Sequence, residues 1–215
     1  MRLIATITAL VLASPLAAQT FDVKLGGKTL GTLEYSEKGR DATLQSTLDS
    51  TPMGVFNGTF TGSSSAKGQF IGDSKSSRKQ RIVTVDITQG RATGVEIIPA
   101  NEMTDLSDAS RVPAGVSDPV QIIGAFIGAT GCPPSTRMYD GRRVVTLTPQ
   151  AGKEDGASLT CPVSYKVVAG PGHLSPLGIS NAKMELLYDM SGESQTLKEI
   201  KVSSGVFRLK LLRRD

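Results

Sequence analysis

Leu197-Lys198-Glu199-Ile200-Lys201-Val202, Ser203-Ser204-Gly205 and Val206-Phe207-Arg208-Leu209-Lys210-Leu211-Leu212 form the stretch that decides the fold. Successive side chains of an extended strand point to opposite faces. Phe207, Leu209 and Leu211 therefore fall on one side of the last run, and Arg208 and Lys210 on the other. A strand with one apolar and one charged face belongs to an antiparallel sheet that is buried on one side and wet on the other. Ser203-Ser204-Gly205 is expected to turn the chain between the two runs as a hairpin.

Working outward, the same alternation recurs. Residues 21–25 and 30–35 alternate around the turn Leu25-Gly26-Gly27-Lys28-Thr29, and Ala42, Leu44, Ser46 and Leu48 share a face. A further run at 52–56 leads into Asn57-Gly58, read as a turn rather than a glycosylation sequon, and then into 59–61. Residues 62–68 (GSSSAKG) read as a loop or a poor edge. Clear strands follow at 81–88 and 92–98 around Gln89-Gly90, and then at 144–148, 158–168 and 182–188. Residues 99–117 show no sustained period and are expected to be a long connection. One helix is expected at about 118–128. Ser117 or Asp118 would cap it, Pro119 suits its first turn, and Val120, Ile123, Phe126 and Ile127 would line one face. The fold expected is mainly β: an antiparallel, strongly curved sheet or open barrel of about ten strands wrapped on one short helix.

Composition narrows the function. The 215 residues include one His (His173), two Cys and no Trp. That excludes a two-His zinc site, a bis-imidazole haem and a four-Cys cluster, so no metal and no cofactor is expected. Residues 1–18 have the layout of a secretory signal, with a basic start, an apolar run from Leu3 to Leu12 and small residues up to Ala18. Cleavage after Ala18 would leave one domain, residues 19–215, in the periplasm. Losing Arg2 with it leaves 23 basic against 20 acidic residues, too small an excess to predict nucleic-acid binding. The Lys75-Ser76-Ser77-Arg78-Lys79-Gln80-Arg81 run reads as a solvated strand-and-turn surface, with a weak contact to anionic lipid or polysaccharide as the alternative. No further apolar run is long enough to cross a membrane. In an oxidising compartment Cys132 and Cys161 are expected to form a disulfide.

Three segments in order resemble one family: Leu25-Gly26-Gly27-Lys28-Thr29-Leu30-Gly31-Thr32-Leu33, Ser117-Asp118-Pro119-Val120-Gln121-Ile122-Ile123, and Tyr139-Asp140-Gly141-Arg142-Arg143. They are similar to the opening hairpin, the "DP" helix start and the "(F/Y)DG-R-R" turn of the domain-of-unknown-function family numbered 3108, over roughly residues 21–212. The resemblance implies an exported bacterial β-rich domain and no particular activity. Val144-Val145-Thr146 stands where the family more often has an aromatic and an acid.

Candidate site residues are few. Tyr139, Asp140, Arg142 and Arg143 are the most distinctive cluster, because arginine pairs with carboxylate or phosphate and tyrosine offers a flat amphipathic contact. His173 lies in a Gly- and Pro-rich loop beside Ser175 without a nucleophile elbow, and is expected to be exposed. Asp105, Asp108 and Asp118 lack calcium-loop spacing. Glu96, Glu102, Asp105 and Asp140 are the carboxylates from which a hydrolase pair would have to be drawn. The expectation is a non-catalytic envelope module that binds a lipid acyl chain, a glycan or an envelope protein on a concave face, with a carboxylate-dependent hydrolase as the alternative.

Overall fold

Residues 18–49, 51, 57–77, 79–173 and 178–214 are described in the computed structural model, and their strands form a single sheet. In chain order they are β1 (Gln19–Leu25), β2 (Lys28–Lys38), β3 (Asp41–Leu48), β4 (Gly58–Ser64), β5 (Gln69–Ser76), β6 (Gln80–Thr88), β7 (Arg91–Ile98) and β8 (Val116–Ser117). After the helix α1 (Pro119–Ile127) come β9 (Thr136–Tyr139), β10 (Val144–Pro149), β11 (Lys153–Asp155), β12 (Ser158–Ala169), β13 (Asn181–Asp189), β14 (Thr196–Ser204) and β15 (Phe207–Arg213). The sheet runs β7-β6-β5-β4-β3-β2-β1-β15-β14-β13-β12-β10-β9-β8, with β11 on β12. The first strand thus pairs with the last. At the two ends of the order, the Gly90 carbonyl in the β6–β7 turn accepts from Gly115 N (2.8 Å) and Val116 N (3.0 Å) at the start of β8. The sheet is strongly curved and nearly closed, which leaves little free edge.

Three expectations are corrected. The described residues hold fifteen strands, not about ten. The sheet is mixed, because β8 pairs with β9 in parallel. Residues 62–64 belong to β4, and β5 was not foreseen, because its inward positions are Phe70, Gly72 and Ser74 and give a weak apolar signal. Gly62 and Gly72 pair across β4 and β5. A Cβ on Gly62 would lie 2.9 Å from Val120 of α1, and one on Gly72 would lie 2.8 Å from the Phe70 ring. The absent side chains are the room that the helix and the aromatic rings occupy.

Local chemistry accounts for the rest. Leu25 pairs with Lys28 across the two-residue turn Gly26-Gly27, as expected. Ser204 pairs with Phe207, so the last hairpin turns at Gly205-Val206, one step later than Ser203-Ser204-Gly205 suggested. Gly205 has φ +55°, a conformation that costs glycine little. A bulge at Val23/Lys24 leaves Leu30 without an opposite residue. It reverses the parity of β2, so that Leu30 and Tyr35 are both buried. Asn57-Gly58 is no turn between described strands: Gly58 opens β4, where its Cβ would lie 2.8 Å from the Lys75 carbonyl oxygen. The expected run at 52–56 and, but for Ala18, the expected export signal lie outside the described residues.

Helix α1 packs against the inner face of the sheet, with Gln121 and Ala125 left exposed. Asp118, 2% exposed, caps it by accepting from Val120 N (2.8 Å) and Gln121 N (2.9 Å), and Ser64 Oγ of β4 donates to the same carboxylate at 2.7 Å. At the other end, Tyr188 Oη of β13 donates to the Phe126 carbonyl at 2.9 Å. Ile122 is buried together with Val120 and Phe126, so the apolar surface is broader than the single face expected. Val120 packs with Tyr35, Leu44, Val83 and Val85 of the early strands. Ile122 and Phe126 pack with Phe21, Leu147, Leu186 and Leu197 on the other side. Cys132 and Cys161 are joined, with Cα atoms 5.5 Å apart, and tie the exit of the helix to β12. No helix among the described residues is long and apolar enough to cross a membrane.

Candidate functional site

The loop from Tyr139 to Arg143 and the patternless connection at 99–117 hold one another. Tyr139, fully buried, donates its hydroxyl to the Leu106 carbonyl. Thr104 Oγ1 donates to the Arg142 carbonyl (2.9 Å) and Ser107 Oγ to that of Gly141 (3.1 Å). The connection itself is three short 3-10 turns and β8. Arg142 Nε donates to the Glu102 carbonyl at 2.7 Å, and its Nη2 lies 3.4 Å from Glu102 Oε2. Arg81 and Lys79 reach the same carboxylate, so the basic run at 75–81 is partly committed within the protein. Burial opposes ionisation of Glu102, but the three cations outweigh it and hold the carboxyl below its ordinary range. Two of the four cluster residues, Tyr139 and Arg142, thus have their polar atoms engaged by the connection.

Asp140 and Arg143 turn the other way. Asp140 Oδ1 accepts from the backbone N–H groups of Arg142 and Arg143, both at 3.0 Å. Arg143 is 6% exposed. Its Nε lies 3.0 Å from Asp140 Oδ2 but out of line for a hydrogen bond. The contact is therefore one of charge, and neither Nε nor Nη1 has a hydrogen-bond partner.

The other carboxylates do separate jobs. Glu96 stands exposed on β7. Asp105 is solvated, 3.9 Å from Arg111. Asp108 accepts from Ser110 N and Oγ at the start of the third 3-10 turn, and Asp118 caps the helix. Among the described residues no three His, Cys, Asp or Glu side chains gather as a metal site.

His173 corrects an expectation. It is half-buried rather than exposed, held by an antiparallel bridge to Ile179 with both N–O distances 2.8 Å. Its Nε2 lies 2.5 Å from Tyr165 Oη. Burial, reinforced by the charge of Arg143 and opposed by that of Asp140, pushes the imidazole down to about 4. It is neutral at pH 7. Burial likewise keeps the Tyr165 hydroxyl protonated. Ser175, its neighbour in sequence, lies outside the described residues.

Tyr165 and His173 border a cavity of about 410 Å³ at one end of the barrel. Leu25, Leu30, Leu48, Met184, Val202 and Leu209 are among the apolar residues of its wall. Phe207 and Leu209 of β15 also line it, while Leu211 packs into the core. The face read from the last strand is therefore the inner one. His173 also borders a second space of about 210 Å³, which Arg81, Ser74, Asp140 and Phe70 line. A third cleft of about 730 Å³ lies at the opposite end, near the C-terminus of α1, among polar groups such as Gln19, Glu37, Thr130 and Gln195. Sequence reasoning missed the Tyr165–His173 pair. The alternation of β12, with Cys161 and Val163 buried, puts Tyr165 on the same inner face. Nothing in the spacing tells that the loop at 170–173 folds back onto it.

No family model matches this chain, and neither the curated proteins nor the solved structures contain a match to it.

Proposed function

We propose that this chain is a non-catalytic envelope module that holds a lipid acyl chain in the apolar cavity at the end of its barrel. The observation that carries the reading is the cavity itself. Its volume of about 410 Å³ falls within the roughly 300–1,000 Å³ of small-molecule sites. Its wall is apolar, Phe207 included, apart from a few polar groups, Tyr165 and His173 among them. Hydrocarbon moved from water into such a space gains roughly 25 cal/mol per Å² of apolar surface covered. Val206, 84% exposed, stands at the hairpin tip beside the lining residue Phe207 and adds an apolar element near the opening. A glycan is less well served, since the chain has ten aromatics, no Trp, and one aromatic pair, Tyr165–His173, at the cavity.

The same proposal makes the chain periplasmic, with residues 1–18 removed on export, and places it with the domain-of-unknown-function family numbered 3108. The signal-like composition of residues 1–18 and the Cys132–Cys161 bridge support export.

The test is native mass spectrometry of protein recovered from its own cells, beside an Ala182→Trp variant that fills the cavity. The expected result is an added mass that fragments as an acyl chain, lost in the variant while its circular dichroism is unchanged. A bare polypeptide mass, with no uptake of hexadecanoate or hexadecanol offered in excess, overturns the reading.

A further inference from the structure

We propose that His173 sets the length of chain that the cavity accepts, as the partition between the apolar space at the barrel end and the smaller space beside it. This rests on the acyl-chain reading of the cavity and names what selects among chains of that class. The space of about 410 Å³ is walled by β1, β2 and β3 and by β12 to β15. The space of about 210 Å³ is walled by β4, β5, β6 and β9 and by the start of α1. The two have no strand in common, although β3 and β4 are paired neighbours, and His173 is the one described residue that borders both.

His173 is fixed there from several sides. Its backbone N–H and carbonyl both pair with Ile179 at 2.8 Å, and its Nε2 lies 2.5 Å from Tyr165 Oη. A Cβ on Gly172 would run into the Gly178 carbonyl, and one on Gly170 into that of Arg142. The segment that carries the imidazole thus lies directly against two other backbones, an approach that glycine permits. Beyond the ring the wall is again apolar, with Phe60, Phe70, Val83, Pro119 and Met138. The charged groups in that wall are already engaged, Arg81 with Glu102, and Asp140 with Arg143 and two backbone N–H groups. Hydrocarbon entering this space would strip no ionised group of its partner. What stands in its way is the imidazole.

The experiment is competition native mass spectrometry. The delipidated protein is offered an equimolar series of straight-chain alkanoates from decanoate to icosanoate, and the bound masses are compared. Each methylene that finds apolar room is worth about fourfold in affinity. In the wild type that gain is expected to run up to one chain length and stop. In His173→Ala it is expected to continue for roughly two or more further methylenes. His173→Phe loses the bond to Tyr165 as the alanine variant does but keeps a ring in place, and is expected to hold the wild-type limit. Should circular dichroism show that His173→Ala does not fold, His173→Ser, which keeps a hydroxyl beside Tyr165, takes its place. A wild-type series without a limit, a limit unmoved in the small-residue variant, or a limit lost equally in His173→Phe overturns the partition and leaves the acyl-chain reading standing. Binding of no alkanoate by the wild type overturns both.

Discussion

Arg143, Asp118 and His173 have one thing in common: each is an ionisable side chain drawn inside the sheet, and each is handled differently. Asp118 is satisfied by two helix N–H groups and Ser64, yet burial still pushes its carboxyl above the ordinary range. Arg143 is set against the carboxylate of Asp140, 3.0 Å away. His173 gives up its charge. It is the single histidine of the chain, which makes its pH signature separable. Its folded pKa of about 4 lies below the ordinary 6.5. Between those values the unfolded chain binds more protons than the folded one, and protonation draws the equilibrium toward unfolding. The stability contributed by neutral His173 is therefore complete above about pH 6.5 and is lost as the pH falls toward about 4. Asp118 works in the opposite sense, so the comparison needs a variant. Urea unfolding of wild type and His173→Gln is expected to give a stability difference that shifts against the wild type across that window. A constant difference from neutral pH to about 4 would show that the imidazole titrates normally.

Among the elements, the hairpins were the most legible, because their signal is local. Gly26-Gly27 and Gln89-Gly90 turn where their residues suggest, and both residues of the second turn have positive φ. The helix was legible too, since Asp118, Pro119 and the apolar spacing act within one turn of one another. Strand β5 was not, because Gly72 contributes only the space it leaves, and that space acquires meaning from Phe70 and, across Gly62, from Val120. Gly124 of α1 poses the same question in testable form. Alanine there would gain roughly 1 kcal/mol of helix propensity. Its Cβ, however, would meet the Tyr35 hydroxyl and lie 3.0 Å from Tyr35 Cζ, in a ring that is 5% exposed and hydrogen-bonded to Glu37. Gly124→Ala is expected to lower stability by about 1–3 kcal/mol, the cost of overpacking. An increase in the urea midpoint would mean that Tyr35 moves aside freely.

For the whole molecule, closure is the governing event. β1 pairs with β15, the Gly90 carbonyl meets the start of β8, and the disulfide spans a separation of 29 residues within one half of the barrel. Replacing both cysteines by alanine is expected to cost about 3–4 kcal/mol in the chain-entropy model, read as a lower urea midpoint with unchanged circular dichroism. An unchanged midpoint would mean that the core around buried Cys161 sets the stability of that half without the bridge. What the sequence determined by itself is what depends on neighbours a few residues apart: strand alternation, turns, the helix and its cap, and a cysteine pair in a chain with export-like residues 1–18. Strand number, the parallel β8–β9 contact, the inward turn of Arg143 and the Tyr165–His173 pair at the cavity came only with the tertiary structure. Each depends on groups brought together from distant parts of the chain by a sheet that curves back on itself, and no local periodicity encodes which of them will face one another across an enclosed space.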